Sequence, residues 1–268
     1  MRIVGASVLF VGMYLSSIFA VKQQKHLLKS ALALALPKTP PRYVPKSPTQ
    51  SHYVNLLGEK NIPVVVGVGP AGCGKTLFAC ITAMEKYKAG LVDKIILTRP
   101  LVTVENEQMG FLPGSIQHKT EPWTIPMFDI FHEMASPKEI EKMLAEKKME
   151  ICPLGFMRGR TFKNCWIIAD EMQNSTPTQM LMLATRLGEN TKLVITGDLQ
   201  QSDRGYDSGG GLWKGTNGLG DFIEKIRARK MAEEDGFGVV EFHVEDVERS
   251  AIVRNVLSLY SGVGVVCK

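Results

Sequence analysis

PVVVGVGPAGCGKTLFACITAM, residues 63–84, sets a run of β-branched residues against a glycine cluster, then a Lys-Thr pair, then an apolar pattern of helical period. Residues 63–68 read as a buried strand and residues 77–88 as a helix, so Gly69, Gly72 and Gly74 fall in the turn between them. Gly69-x-x-x-x-Gly74-Lys75-Thr76 has the spacing of a phosphate-binding P-loop. Backbone N–H groups approach phosphate oxygens closely only where no Cβ intervenes. The first helical turn adds unpaired N–H groups and about half a positive charge. Gly69, Pro70, Ala71, Gly72, Cys73, Gly74, Lys75 and Thr76 are therefore candidate nucleotide contacts. Lys75 carries charge for the β- and γ-phosphates, and the Thr76 hydroxyl is a candidate Mg²⁺ ligand. The alternative, a glycine-rich turn with a chance lysine, fits poorly with a strand before it and a helix after it.

A chain of 268 residues has room for one large α/β domain, or a domain and a half. Its formal charge of +5 points toward nucleic acid until its location is considered. Residues 1–58 hold seven basic residues and no acid, and removing those seven leaves −2 for the remainder. Bulk charge therefore gives no argument for nucleic acid in the core. The five cysteines form no C-x-x-C pair, which excludes a disulfide framework or thiolate metal site as the first reading and suits a reducing compartment such as the cytoplasm. Cys73, near a helix N-terminus, is expected to have a lowered pKa. A redox switch there is conceivable, and a small residue filling a loop position is the plainer reading.

Residues 3–21 are apolar and uncharged, with Arg2 before them and Lys22, Lys25 and Lys29 after. The length just suffices for a membrane span, so a signal or anchor-like segment over 1–21, with membrane contact through residues 3–21, is expected. Packing of this stretch into the fold is the alternative. Residues 22–46 carry only basic charge and several prolines, as in a linker or presequence. The catalytic domain is expected over 47–268. There, candidate strands at 63–68, 94–98, 165–169, 192–196 and 238–243 alternate with candidate helices at 50–58, 75–88, 122–134, 137–149, 177–187, 219–229 and 249–260. Continuous apolar strands separated by helices predict an α/β fold, a mostly parallel sheet sandwiched by helices.

CWIIADEMQN (165–174) ends an apolar strand in two carboxylates, at the edge where open α/β sheets bind ligands. Asp170 is a candidate Mg²⁺ ligand, and Glu171 a candidate base for an attacking water. Gln173 and Asn174 are placed to sense the γ-phosphate. KLVITGDLQQSD (192–203) ends a second strand in Thr196-Gly197-Asp198, and Asp198 joins the catalytic candidates, although a plain turn is the alternative. Arg99, at the end of KIILTRP, either touches nucleic-acid phosphate or pairs with a carboxylate. Arg158, Arg160, Arg249 and Arg254 are further basic positions, and surface ion pairing is the default for any one of them. An arginine that neutralises charge developing on the γ-phosphate accelerates hydrolysis by roughly 10³ to 10⁵. Arg249 is the candidate, and in a ring it would complete a neighbour's site.

GPAGCGKT, LTRPLV, MGFLPGSIQHKTEPW, PLGFMRGRTF, DEMQNSTPTQM, TRLGENTKLVITGDLQQSD and DVERSAIV follow one another in the order found in PhoH-like proteins. The chain closely resembles that family of phosphate-starvation-inducible ATPases, related to the superfamily-one helicase core, from residue 47 to residue 254. Together with the P-loop, the resemblance implies that the α/β fold is a RecA-like P-loop NTPase fold. The resemblance implies ATP binding, Mg²⁺-dependent hydrolysis, action on RNA or another single strand, and assembly as a homo-oligomeric ring, possibly of six. It also implies that Gln50 reads adenine, as an amide can. Cys73 stands where the family usually has Thr, and the glycine-rich stretch 204–220 has no assigned role. Two other readings compete: an ATP-dependent nucleic-acid-binding switch that unwinds nothing, and a P-loop small-molecule kinase.

Overall fold

The structure, a computed structural model of the chain, describes residues 43–100, 116–201, 217–229, 233–248 and 252, with only the backbone of 116–122. The apolar leader, most of the proline-rich segment and the expected helix at 249–260 lie outside these residues, as does Arg249. Two compact units are distinguished, Met1–Val44 and Pro45–Lys268, and the elements below belong to the second.

Helix α1 (Pro48–Gly58) begins at a capping box in which Ser47 and Gln50 satisfy each other's backbone N–H groups, an arrangement that stabilises a helix start by about 1 kcal/mol. There follow β1 (Val64–Val68), α2 (Lys75–Lys88), β2 (Lys94–Thr98), α3 (Ile116–Met134), α4 (Pro137–Ala145) and β3 (Met149–Ile151). A 3₁₀ turn (Leu154–Met157) leads to β4 (Cys165–Ala169), a second 3₁₀ turn (Met172–Asn174), α5 (Pro177–Ala184) and β5 (Lys192–Gly197). Helix α6 (Gly218–Arg227), β6 (Phe237–Glu241) and a third 3₁₀ turn (Val244–Asp246) complete the described elements.

The strands form one sheet in the order β3-β2-β4-β5-β1-β6, and every pairing is parallel. β1 and β4 are buried over their whole length, which is why they read as unbroken apolar runs. Alternation divides their side chains. Val64, Val66, Ile167 and Ile195 share a core with Met180 and Leu183 of α5 and Ile223 and Ile226 of α6. Gly67 turns the other way, where its missing side chain leaves room for the Tyr53 ring of α1.

The expected fold class is the one found, with two local corrections. The helix expected over 137–149 stops at Ala145, and residues 149–151 form the edge strand β3 instead. Lys147 takes a left-handed conformation that ends the helix, and Ile95 of β2 then lies opposite Met149. The last described strand is Phe237–Glu241, ending before Phe242 and His243, with Phe242 N–H making the last ladder bond to Val68 O.

Candidate nucleotide site

Parallel pairing brings the carboxyl ends of β1, β5 and β4 side by side: Val68 lies opposite Gly197, and Ile195 opposite Ala169. The residues that follow each strand therefore converge. After β1 the chain turns through Gly69, Gly72 and Gly74 at φ 144°, 91° and 89°, all in the region that disfavours side chains. At Gly69 there is a second constraint, since a Cβ would sit 2.4 Å from the Phe242 carbonyl oxygen. Gly74 caps α2 without a side-chain acceptor, so the first N–H groups of α2 have no side-chain cap.

Lys75 is nearly buried, and its ammonium donates to the carbonyls of Gly69 (2.7 Å) and Pro70 (2.8 Å) within the loop. Thr76 Oγ1 donates to Asp170 Oδ1 at 2.9 Å, and Thr196 Oγ1 donates to the same oxygen. Asp170 Oδ2 accepts no hydrogen bond among the described residues. A hard cation is suited by such a set, with one free carboxylate oxygen beside two hydroxyls on three different elements. Among the described residues no cluster of three His, Cys, Asp or Glu offers another metal site.

Glu171 stands at φ 54°, ψ 39°, a left-handed conformation for a residue with a side chain. Gln173, almost wholly buried, donates from Nε2 to Glu171 Oε2 at 2.5 Å, and its Oε1 accepts from Asp198 N–H at 3.2 Å. Asp198 Oδ1 accepts from Gln200 N–H at 3.0 Å. The tips of β4 and β5 are thereby tied through one amide. Gly197 makes room for it, because a Cβ there would come within 2.7 Å of Gln173 Oε1. Gln173 thus orients Glu171 and Asp198, and Asn174 is buried with its backbone N–H on Glu171 O.

Gln50, the expected adenine reader, lies beside the P-loop. Its side chain is buried, with Nε2 donating to Cys73 O (3.3 Å) and Asp246 O (3.4 Å) and Oε1 accepting from Lys46 N–H (2.7 Å). In this structure the amide pins the P-loop between α1 and the third 3₁₀ turn. Cys73 corrects an expectation: burial pushes its thiol pKa up, and that outweighs the nearby Lys75 charge, which acts to lower it. The thiol donates to Pro70 O at 3.0 Å and fills the loop. The other described cysteines, Cys80, Cys152 and Cys165, are likewise free and buried.

Tyr53 was not singled out in the sequence. Its hydroxyl donates to Lys75 O at 3.3 Å, and its ring meets Phe242 edge-on at 5.3 Å. The signal was Gly67, a glycine inside an otherwise β-branched strand, which marks close approach of a large neighbour. Arg160 forms a forked pair with Glu150, as the ion-pair default holds, whereas Arg99 and Arg158 make no such contact among the described residues. No helix among the described residues is long and apolar enough to cross a membrane, and residues 3–21 are outside them.

Residues 43–261 match the family described as PhoH-like protein. The chain is 38% identical to a PhoH-like protein of Bacillus subtilis over 80% of its own length and 63% of the relative's. It is 37% identical to a PhoH-like protein of Mycobacterium tuberculosis and to Protein PhoH of Escherichia coli K12, in each case over 81% of this chain and 57% of the relative. The alignments thus span under two thirds of these relatives. Sheet, P-loop and matching sequence agree, and the chain belongs to the PhoH-like protein family, with the α/β fold of a P-loop NTPase.

Proposed function

We propose that this protein binds ATP with Mg²⁺ and hydrolyses it, and that turnover is coupled to a single strand of RNA. The observation that carries the nucleotide half is the convergence of Thr76 and Thr196 on one oxygen of Asp170, beside a P-loop whose lysine rests on its own carbonyls. Lys75 exchanges those carbonyls for phosphate oxygens on binding. Backbone N–H groups of the loop and of the first turn of α2 surround the phosphates. Thr76 and Asp170 are the residues that would hold Mg²⁺, which neutralises charge on the β- and γ-phosphate oxygens. Glu171, held by Gln173, orients a water and accepts its proton at the carboxylate. Asp198 fixes Gln173 from the other side. Arg249 is the candidate for the charge that develops on the γ-phosphate.

The RNA half rests on family membership, and with it goes the proposal of a homo-oligomeric ring in which one nucleotide site acts with its neighbours. ATP turnover by the purified full chain, measured with and without single-stranded RNA and against Lys75→Ala, tests both halves. Turnover absent from both proteins would sink the ATPase reading, and turnover indifferent to RNA would sink the coupling.

A further inference from the structure

The described residues contain six arginines, and four of them are engaged. Arg160 is forked onto Glu150, Arg186 donates to the carbonyls of Met182 and Arg160, Arg227 pairs with Glu241, and Arg229 with Asp235. Arg99 and Arg158 make no hydrogen bond or ion pair among the described residues. Both follow neighbouring strands at the same edge of the sheet, Arg99 directly after β2 and Arg158 after the 3₁₀ turn beyond β3. Leu154 N–H donates to Arg99 O at 3.3 Å and joins the two segments.

Phe156 lies in the 3₁₀ turn that this bond joins to Arg99, two residues before Arg158. Leu154 and Met157 on either side are buried in the core, while Phe156 is 58% exposed. The turn is anchored from below and presents its aromatic ring to solvent by construction. Gly155 and Gly159 flank it with open space where side chains would stand. Residues 151–163 contain Arg158, Arg160 and Lys163 and no acid, and Glu150, the acid that precedes them in sequence, is already shared by Arg160 and Lys94. A solvent-facing ring with two guanidinium groups uncommitted among the described residues, on an acid-free stretch 151–163, matches a ligand with planar faces and a repeating negative charge. Single-stranded nucleic acid has both, since bases stack on rings and phosphates pair with arginine.

We propose that Phe156, Arg158 and Arg99 form a stacking and phosphate-binding platform for a single nucleic-acid strand at the β2–β3 end of the sheet's carboxyl edge. The platform rests on the nucleic-acid half of the function proposed above and gives it a place. Four strand spacings separate β1 from β3 in the sheet order, about 19 Å. The strand is therefore held on the same edge as the P-loop, beyond Asp170 and Glu171, and does not cover the nucleotide.

The test is fluorescence anisotropy of labelled 20-nucleotide oligo(U) and oligo(dT) with the full chain and a non-hydrolysable ATP analogue, over a salt series starting at low ionic strength. Phe156→Ala is expected to weaken binding about tenfold, and Phe156→Tyr to restore it, because the phenol ring stacks as the phenyl does. Arg158→Gln is expected to reduce the slope of log K against log salt by about one. Thermal midpoints of all three should match the wild type, since these side chains are in water. A preference for oligo(U) names RNA as the strand, and equal binding names any single strand. Wild-type affinity and salt slope in a Phe156→Ala, Arg158→Gln double variant would overturn the platform. So would a Phe156→Tyr variant as weak as Phe156→Ala, or a wild-type protein that binds neither oligonucleotide. The nucleotide reading fails separately: a chain that binds oligonucleotide through Phe156 but never a fluorescent ATP analogue keeps the platform and loses the ATPase.

Discussion

Gln173 donates to Glu171 at 2.5 Å, and Glu171 itself is held in the left-handed region at φ 54°, ψ 39°. A side-chain-bearing residue in that region costs about 1–2 kcal/mol. The turn is fixed by its own hydrogen bonds, Asn174 N–H to Glu171 O at 3.1 Å and Ser175 N–H to Met172 O at 3.0 Å. What the strained backbone achieves is direction: the carboxylate leaves the end of β4 where Gln173, itself bonded to Asp198 at the end of β5, can hold it.

Glu171→Gln should bind ATP with near wild-type affinity and hydrolyse it at least ~100-fold more slowly, because the amide keeps the shape and loses the basicity. Glu171→Gly and Glu171→Ala should be equally inactive but differ in stability. Glycine relieves the backbone, so its unfolding free energy should exceed that of the alanine variant by about 1 kcal/mol. Urea denaturation of the two variants reads this directly. An alanine variant as stable as the glycine one would show that the conformation carries no strain.

Lys75→Ala should abolish tight ATP binding while leaving a folded protein, since the ammonium's described partners, the carbonyls of Gly69 and Pro70 and the Cys73 sulfur, all lie within the loop. Gly69→Ala should lose binding for a different reason and lose stability with it. Its φ of 144° and the 2.4 Å approach of Phe242 O leave no place for a methyl group. Isothermal titration with ATP, beside thermal melts, separates the two: affinity alone falls for the lysine, affinity and melting temperature together for the glycine.

Much of this architecture was legible because burial on both faces of a parallel sheet writes unbroken apolar runs, and β1, β2, β4 and β5 are such runs. β3 was hidden because its three residues sit in a Lys- and Glu-rich stretch that reads as helix; Glu150 is there to meet Lys94 and Arg160 across the edge. The Asp170–Thr76 meeting followed from strand-end logic. The engagement of Gln50 could not, since its partners lie 23 and 196 positions away. Cys73 was misread in the same way: the helix terminus is a local feature visible in sequence, whereas the burial that raises its pKa is not.

Lys192 gives a pH-dependent prediction far from the nucleotide. Its ammonium donates to Leu56 O (2.7 Å) and Glu59 O (2.8 Å) at the end of α1, and burial, aided by the charge of Lys86, lowers its pKa to about 8. Between about pH 8 and the ordinary lysine value the unfolded chain holds a proton that the native state has released. Stability therefore rises with pH across that window, by up to ~3 kcal/mol from this group. Buried Tyr53 and Cys80, with pKa values pushed up, act in the opposite sense. The group is isolated by subtraction: unfolding free energy of the wild type minus that of Lys192→Met should grow from pH 7.5 to 10.5. A difference constant over that range would show that Lys192 stays protonated on its two carbonyls.

Arg249 follows a residue fastened to the P-loop. Glu248 N–H donates to Gly72 O at 3.0 Å, Lys46 pairs with the Glu248 carboxylate, and Gln50 bonds Asp246 O two residues earlier. The polypeptide that delivers Arg249 is thus tied to its own subunit's loop, although a neighbour's site was the expectation for a ring. Arg249→Ala should bind ATP normally and hydrolyse it at least ~100-fold more slowly, a loss of about 2.7 kcal/mol in transition-state stabilisation. Single-turnover measurement with saturating ATP separates this from a binding defect, and an unchanged rate would remove Arg249 from the chemistry. Mixing Arg249→Ala with Glu171→Gln then decides where it acts. If the Gly72 tether governs, no subunit in the mixture carries both an intact base and an intact arginine, and activity stays at the level of the parents. Partial return of activity in mixed oligomers would assign the arginine to the adjacent subunit and make the Glu248 tether a purely structural contact.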